Sequence, residues 1–374
     1  MVFPYNDLIG ISVLKFVSRK RIAHLKVSFV DAFGPMNLKE DIVMSRRGMF
    51  LVVAMAVAGV LLTVYSAHAA PFRIGHHRSV MGAVTIVAHK MGYYNETIGK
   101  GKYTIKQFPQ GKLMRQAILA NSLDIGGAAD RAFLSAIAKG AKAPGIANAN
   151  YWCKANKILT SPESPLKTLH DLKGKRLGVG KATGTYFTLT TFILPKYGLT
   201  VKDFTTVNMN NDTRMAALKS RTVDMIALNN PQAAIAIDRG YARTVETFCK
   251  YANNLWILMA NGKTLKKDKE VFTKFLRGFI RGMKLHRDNR DKFARVYLNH
   301  LQSKGSKIKL KIVKASVNDL TFGLLPSEQD YKWFDFMGQV LVEKRKAKRV
   351  VDLRKEGMDL SMVKKAMAAE GWKN

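Results

Sequence analysis

The chain has 374 residues, 47% of them hydrophobic and 24% charged, a globular composition with room for two domains of ordinary size. The net charge is +35, and little of it falls in the first 70 residues, so the excess belongs to the folded body rather than to a basic tail. Such a charge draws in small anions, acidic headgroups or nucleic acid, or simply keeps the protein soluble. A count of two cysteines, Cys153 and Cys249, excludes a thiol-rich metal site.

In chain order, residues 1–43 do not read as a domain. They are expected to be an upstream extension, with Met36 and Met44 available as starts. Residues 44–69 have the three parts of a secretory signal: a basic start (Met44, Arg46, Arg47), an uncharged apolar run over 49–65, and small residues Ser66, Ala67 and Ala69. Cleavage is expected near Ala69. The run is slightly short for a membrane anchor. No cysteine follows it for lipid attachment, so a soluble periplasmic protein is expected.

Beyond the signal, strands and helices alternate. A strand at 73–75 ending in glycine precedes a helix at 80–91, closed by Gly92. A strand at 103–108, a helix at 113–120, a strand at 123–126 and another helix follow. The order then repeats: strand 177–180, helix 186–197 closed by Gly198, strand 204–209, helix 213–220, strand 223–228 and a helix. Residues 114–140 and 214–240 align without a gap at an offset of 100. Ala117 matches Ala217, Asp124 matches Asp224, and Gly140 matches Gly240. Each copy therefore predicts a mostly parallel sheet flanked by helices, and two copies predict two lobes. Further on, 255–260 reads as a strand. Phe275, Phe279 and Met283 recur at helical spacing opposite a basic face expected to be solvated. The run Lys344 to Arg349 reads as a solvated helix face rather than a nucleic-acid patch.

The segments LKTLHDLKGKRLGVG (166–180), YGLTVKD (197–203), AALKSRTVD (216–224), ANSLDIG (120–126) and residues 261–275 resemble the periplasmic solute-binding proteins of nitrate, taurine and aliphatic sulfonate ABC transporters. That group also includes relatives of the thiamine-pyrimidine synthesis proteins. The resemblance covers most of residues 72–285. It implies an α/β, two-lobed type II periplasmic-binding-protein fold with two crossover strands as a hinge. Lobe one would hold 71–156 and 252–374, and lobe two 157–251. It implies a monomer that binds a small, anionic organic solute and delivers it to an ABC transporter permease in the inner membrane, with no nucleic acid, cofactor or catalysis. The alternatives are a pyrimidine-synthesis-like enzyme and a binding protein that feeds a sensor. The two crossover segments would run side by side, which would bring Cys153 and Cys249 close enough for a disulfide. Two separate buried thiols are the other reading.

Ligands of open α/β sheets lie beyond the carboxyl ends of the strands, so four loops are candidates. The first offers His76, His77, Arg78 and Ser79. Arg78 suits a carboxylate, sulfonate or phosphate. The two histidines are a poor metal pair, because neighbours on a strand point oppositely. The second offers Ala129 and Asp130, the latter also readable as a helix cap. The third offers Thr183, Gly184, Thr185 and Tyr186 at a helix start, where capping and anion binding use the same groups. The fourth offers Asn229 and Asn230 before Pro231. Tyr151 and Trp152 near the crossover would cover an apolar part of the ligand or belong to the core. The glycines from Gly178 to Gly184 do not make a dinucleotide loop, since no acidic residue ends the next strand.

Overall fold

The structure, a computed structural model, describes residues 70–181 and 183–373. The expected upstream extension (1–43) and export signal (44–69) lie outside the described residues. In chain order the strands are β1 (Phe72–His77), β2 (Tyr103–Phe108), β3 (Ile125–Ala129), β4 (Gly145–Tyr151), β5 (Asn156–Thr160), β6 (Arg176–Val179), β7 (Thr205–Asn208), β8 (Met225–Asn229), β9 (Arg243–Thr247) and β10 (Leu255–Ala260). They form two sheets of five, ordered β2-β1-β3-β10-β4 in lobe one and β7-β6-β8-β5-β9 in lobe two.

The two sheets follow one plan. β1 runs parallel to β2 and β3, as β6 does to β7 and β8. The fourth strand in each order is antiparallel to both neighbours: β10 in lobe one and β5 in lobe two. These are the strands on which the chain returns to lobe one and enters lobe two. The crossings themselves are short, residues 152–155 and 248–254. Cys153 and Cys249, one on each crossing, are joined by a disulfide with Cα atoms 4.8 Å apart.

The repeat extends to individual atoms. The Arg73 backbone N–H and Nε donate to one Asp124 oxygen at 2.8 and 2.9 Å, and Nη2 reaches the other at 2.7 Å. Arg176 makes the same three bonds to Asp224 at 2.7, 3.0 and 3.0 Å. Each arginine also donates to the carbonyl of a left-handed residue, Asn121 or Arg221, both at φ 58°. These brackets stand at the amino ends of β3 and β8. The sequence places these strands from 123 and 223, yet they begin at Ile125 and Met225. The aspartate side chain takes the main-chain N–H that a neighbouring strand residue would otherwise bond.

Two elements depart from expectation. β1 continues through His76 and His77, so both histidines stand on the strand rather than in the loop after it. The helix expected at 186–197 is three short pieces: an α turn at Gly184–Thr188, a π turn at Leu189–Ile193 and a 3₁₀ turn at Leu194–Tyr197. Pro195 lacks the N–H needed to continue a regular helix.

The lobe-one core gathers Phe72, Ile74, Phe133, Ile257 and the apolar face of helix Lys269–Asp288, where Phe272, Phe275, Phe279 and Met283 are buried as their spacing predicts. The opposite face is not simply solvated. Arg277 and Arg281 both pair with Glu370 of the last helix, at 2.8 and 2.9 Å. Lobe two buries two smaller clusters, one around Leu177 and Leu189 and one around Leu159 and Ile226. Phe192 of lobe two packs on Trp333 of lobe one, with ring centroids 4.9 Å apart.

Candidate functional site

A cavity of about 590 Å³ opens between the two lobes. Its walls include the carboxyl ends of five parallel strands: His77 and Arg78 from β1, Ala129 from β3, Gly180 after β6, Asn208 from β7 and Asn229 from β8. This is the position an open α/β sheet reserves for a ligand. Thr183, Gly184 and Thr185 line it as well.

Five residues expected at the site lie elsewhere. His76 faces the helical layer behind the sheet, 5% exposed and edge-on to His300. Ser79 is buried behind His77 and holds it. Asp130 turns its carboxylate away from the cavity, accepting from the Trp333 indole at 3.0 Å, the Leu255 N–H at 3.3 Å and the Arg131 N–H at 2.7 Å. Tyr186 packs on the lobe-two core, and its N–H serves the Thr183 cap. Asn230 faces lobe one, donating to Asp319 at 2.8 Å and accepting from the Ala234 N–H. Strand alternation explains three of these. In the pairs His76/His77, Ala129/Asp130 and Asn229/Asn230, one residue reaches the cavity and its neighbour points away.

His77 is fixed as a donor. The Ser79 N–H points at its Nδ1 (3.1 Å), and the Ser79 hydroxyl lies 2.7 Å from the same atom. A backbone N–H can only donate, so Nδ1 accepts and Nε2 carries the proton. Burial, followed by the charges of His76 and Arg78, pushes its pKa down to about 3, so it is neutral at physiological pH.

The dominant chemistry comes from arginines that motif reading did not select. Arg214 is 3% exposed. Among the described residues its guanidinium bonds only carbonyl oxygens, Ala227 at 2.7 Å and Met209 at 2.8 and 3.2 Å. Gly180 makes room for it, since a Cβ there would stand 2.7 Å from an Arg214 nitrogen. Burial lowers its pKa to about 10, which still leaves it charged. Arg115 is lowered by burial. Arg131 is lowered first by burial and further by Arg115, with Asp130 opposing. The Arg131 side chain stacks over Phe187 of the other lobe at 4.8 Å. Arg78 and Lys112 bring the described cations of the wall to five. Among the described residues, no aspartate or glutamate lines the cavity.

Three buried polar atoms of lining residues have no partner among the described residues: Arg131 Nε, Trp152 Nε1 and Asn229 Oδ1. A buried polar atom left unbonded costs about 1–3 kcal/mol, which a partner entering the cavity would recover. Trp152 and Trp256 supply its apolar surface. Gly127 admits the second, because a Cβ there would stand 1.9 Å from the Trp256 indole nitrogen.

Comparison with known proteins agrees with this architecture. Over 200 residues the chain is 26% identical to the "Putative aliphatic sulfonates-binding protein" of Escherichia coli (strain K12), covering 52% of this chain and 62% of that protein. The chain thus spans about six-tenths of the length of that relative. Among solved structures, it superposes on the alkanesulfonate-binding protein SsuA from Xanthomonas axonopodis pv. citri bound to MOPS. The TM-score is 0.67 and the identity 22%, over 79% of this chain and 99% of that one. The periplasmic nitrate-binding protein NrtA from Synechocystis PCC 6803 matches with a TM-score of 0.59 at 12% identity, over 80% and 88% of the two chains. The fold is therefore that of the periplasmic binding proteins. A family model described as NMT1/THI5 like matches residues 82–292, more than half of the chain, and the protein belongs to that family.

Proposed function

We propose that the protein captures a small anionic solute, an organic sulfonate of the taurine kind or nitrate, between its lobes and delivers it to the permease of an ABC importer in the inner membrane. On this reading it works as a periplasmic monomer, freed from its signal near Ala69. The observation that carries the proposal is the convergence of Arg115, Arg131 and Arg214 on one cavity, with no carboxylate among the described lining residues. Guanidinium groups present paired donors to oxyanions. Water-shielded charges without an internal counterion are stabilised when an anion arrives. Trp152, Trp256 and Met81 would cover the organic part of the ligand. The short crossings suit closure of one lobe on the other, a hinge motion coupled to binding.

Thermal unfolding of the purified protein with sulfonates, nitrate, carboxylates and pyrimidines, each at high excess, tests this. Ligands that bind only the folded state raise the melting temperature by mass action. Anions are expected to raise it by several degrees. A shift with neutral or cationic solutes and none with anions would overturn the assignment.

A further inference from the structure

We infer that the cavity prefers an organic dianion with its charge on one head group, a phosphonate or phosphate monoester, over a sulfonate or sulfate monoanion of the same shape. The inference rests on the reading that the cavity binds an organic anion, and it concerns which anion.

The argument is one of charge balance. Arg115, Arg131, Arg214 and Lys112 line the cavity beside Arg78. Among the described residues, none of the four has a carboxylate partner in an ion pair. Among the described residues, the carboxylate that acts on these charges is Asp130, beside Arg131 in the chain. Its oxygens are taken by the Trp333 indole and by the N–H groups of Leu255 and Arg131, on the side away from the cavity. Even if Asp130 is set against one arginine, three positive charges remain. A monoanion leaves at least two like charges facing each other in a partly desolvated space, where repulsion is strong. That repulsion is already felt, since the charge on Arg115 makes Arg131 harder to protonate. A dianion removes most of it.

Donor counting agrees. Arg131 Nε and Trp152 Nε1 are buried without acceptors among the described residues. The side chain of Arg115 makes no hydrogen bond to a described residue. His77 presents its Nε2–H, because Nδ1 is committed to Ser79. Together these groups outnumber what a carboxylate can accept. They suit a head group with three terminal oxygens, which phosphoryl and sulfonyl groups share, so charge alone separates the two.

Phenyl phosphate and phenyl sulfate make a matched pair of probes. They share shape and aromatic body. The phosphate gains its second charge near pH 6, while the sulfate stays singly charged. Affinities would be measured by calorimetry at fixed ionic strength from pH 5 to 8. The arginines stay charged and His77 stays neutral over that range, so the change in ratio reports the ligand's charge. Phenyl phosphate is expected to bind at least tenfold more tightly than phenyl sulfate at pH 8, with the ratio falling toward one at pH 5. In Arg115→Gln the pH 8 ratio should drop several-fold. Equal or tighter binding of the sulfate at pH 8, or an unchanged ratio in the variant, overturns the dianion preference and leaves the anion reading standing. Binding of neither probe, with no thermal shift from any anion, removes both.

Discussion

Arg214 holds the place in lobe two that Met114 holds in lobe one. The two are 100 residues apart in the aligned repeat and both are buried, at 3% and 0% exposure. Met114 packs against Gly75 and Gly126 in an apolar core, while Arg214 sits over Gly180 and bonds main-chain carbonyls. One copy of the repeat has thus exchanged a core side chain for a buried cation beside the cavity. Removing the guanidinium takes the donor from the Ala227 and Met209 carbonyls, at about 1–3 kcal/mol for each buried oxygen left unbonded. Arg214→Met is therefore expected to melt a few degrees lower. It should bind anions about 10- to 100-fold more weakly, since a charged hydrogen bond is worth about 1.5–3 kcal/mol. Calorimetric titration beside a melting curve checks both halves, and a variant that is both less stable and normal in affinity would make Arg214 purely structural. The cue for Arg214 was present in the sequence as a charge at a core position of the repeat. Arg115 and Arg131 offered no such cue, because 62 lysines and arginines hide any three of them. Asp130 and Asn230 occupy equivalent places and misled equally. Standing after a strand puts a residue near the cleft, but the pleat decides which way it points.

At the scale of elements, β1 has a dry rear face that meets two helices. His76 on the strand lies edge-on to His300 of helix Arg290–Ser303, and His89 of helix Ala83–Lys90 bonds the Tyr103 hydroxyl at 2.9 Å. Burial holds His76 and His300 at pKa values of about 4, with neighbouring His89 and Lys304 adding to both shifts and Lys90 to that of His300. The unfolded chain has ordinary histidines near 6.5. Above that value both states are neutral and this seam keeps its full stability. Between about 6.5 and 4 only the unfolded chain takes up protons, so stability falls as pH falls. Each such histidine removes up to about 1.4 kcal/mol per pH unit. Urea unfolding at pH 7.5 and 4.5 should show the loss, and His76→Gln should show less of it. Identical losses in the two proteins would mean that His76 titrates normally in the folded state. The succession of strands along the chain and their parallel pairing were legible from glycine-ended strands and the helix rhythm, and their order within each sheet was not. Element ends were not, because they depend on contacts far along the chain: Asp124 reaching Arg73, or Asp224 reaching Arg176.

For the whole molecule, the offset-100 repeat was enough to reveal two lobes without their contents. The lobes are tied beside the first crossing by Lys157 to Asp319 at 3.0 Å, and elsewhere by Asn230 to the same aspartate at 2.8 Å and Lys311 to Asp238 at 2.6 Å. No periodic pattern signals such pairs, since they join residues over 70 positions apart.

The disulfide between the crossings also has a mechanical meaning. Lobe two is a loop of lobe one, closed at its neck by Cys153 and Cys249 across 96 positions. Tension applied through handles at Ala70 and Lys373 travels along lobe one and through the sulfur bridge, bypassing everything between the two cysteines. A stretched molecule should therefore release the length of lobe one alone, and a reductant should add one further step of about 330 Å, at the fully extended rise of about 3.4 Å per residue. Optical-trap extension with and without reductant would show that step, and equal lengths in the two conditions would mean that the bridge is not formed. While it is closed, lobe two is shielded from any force that reaches the protein through its ends.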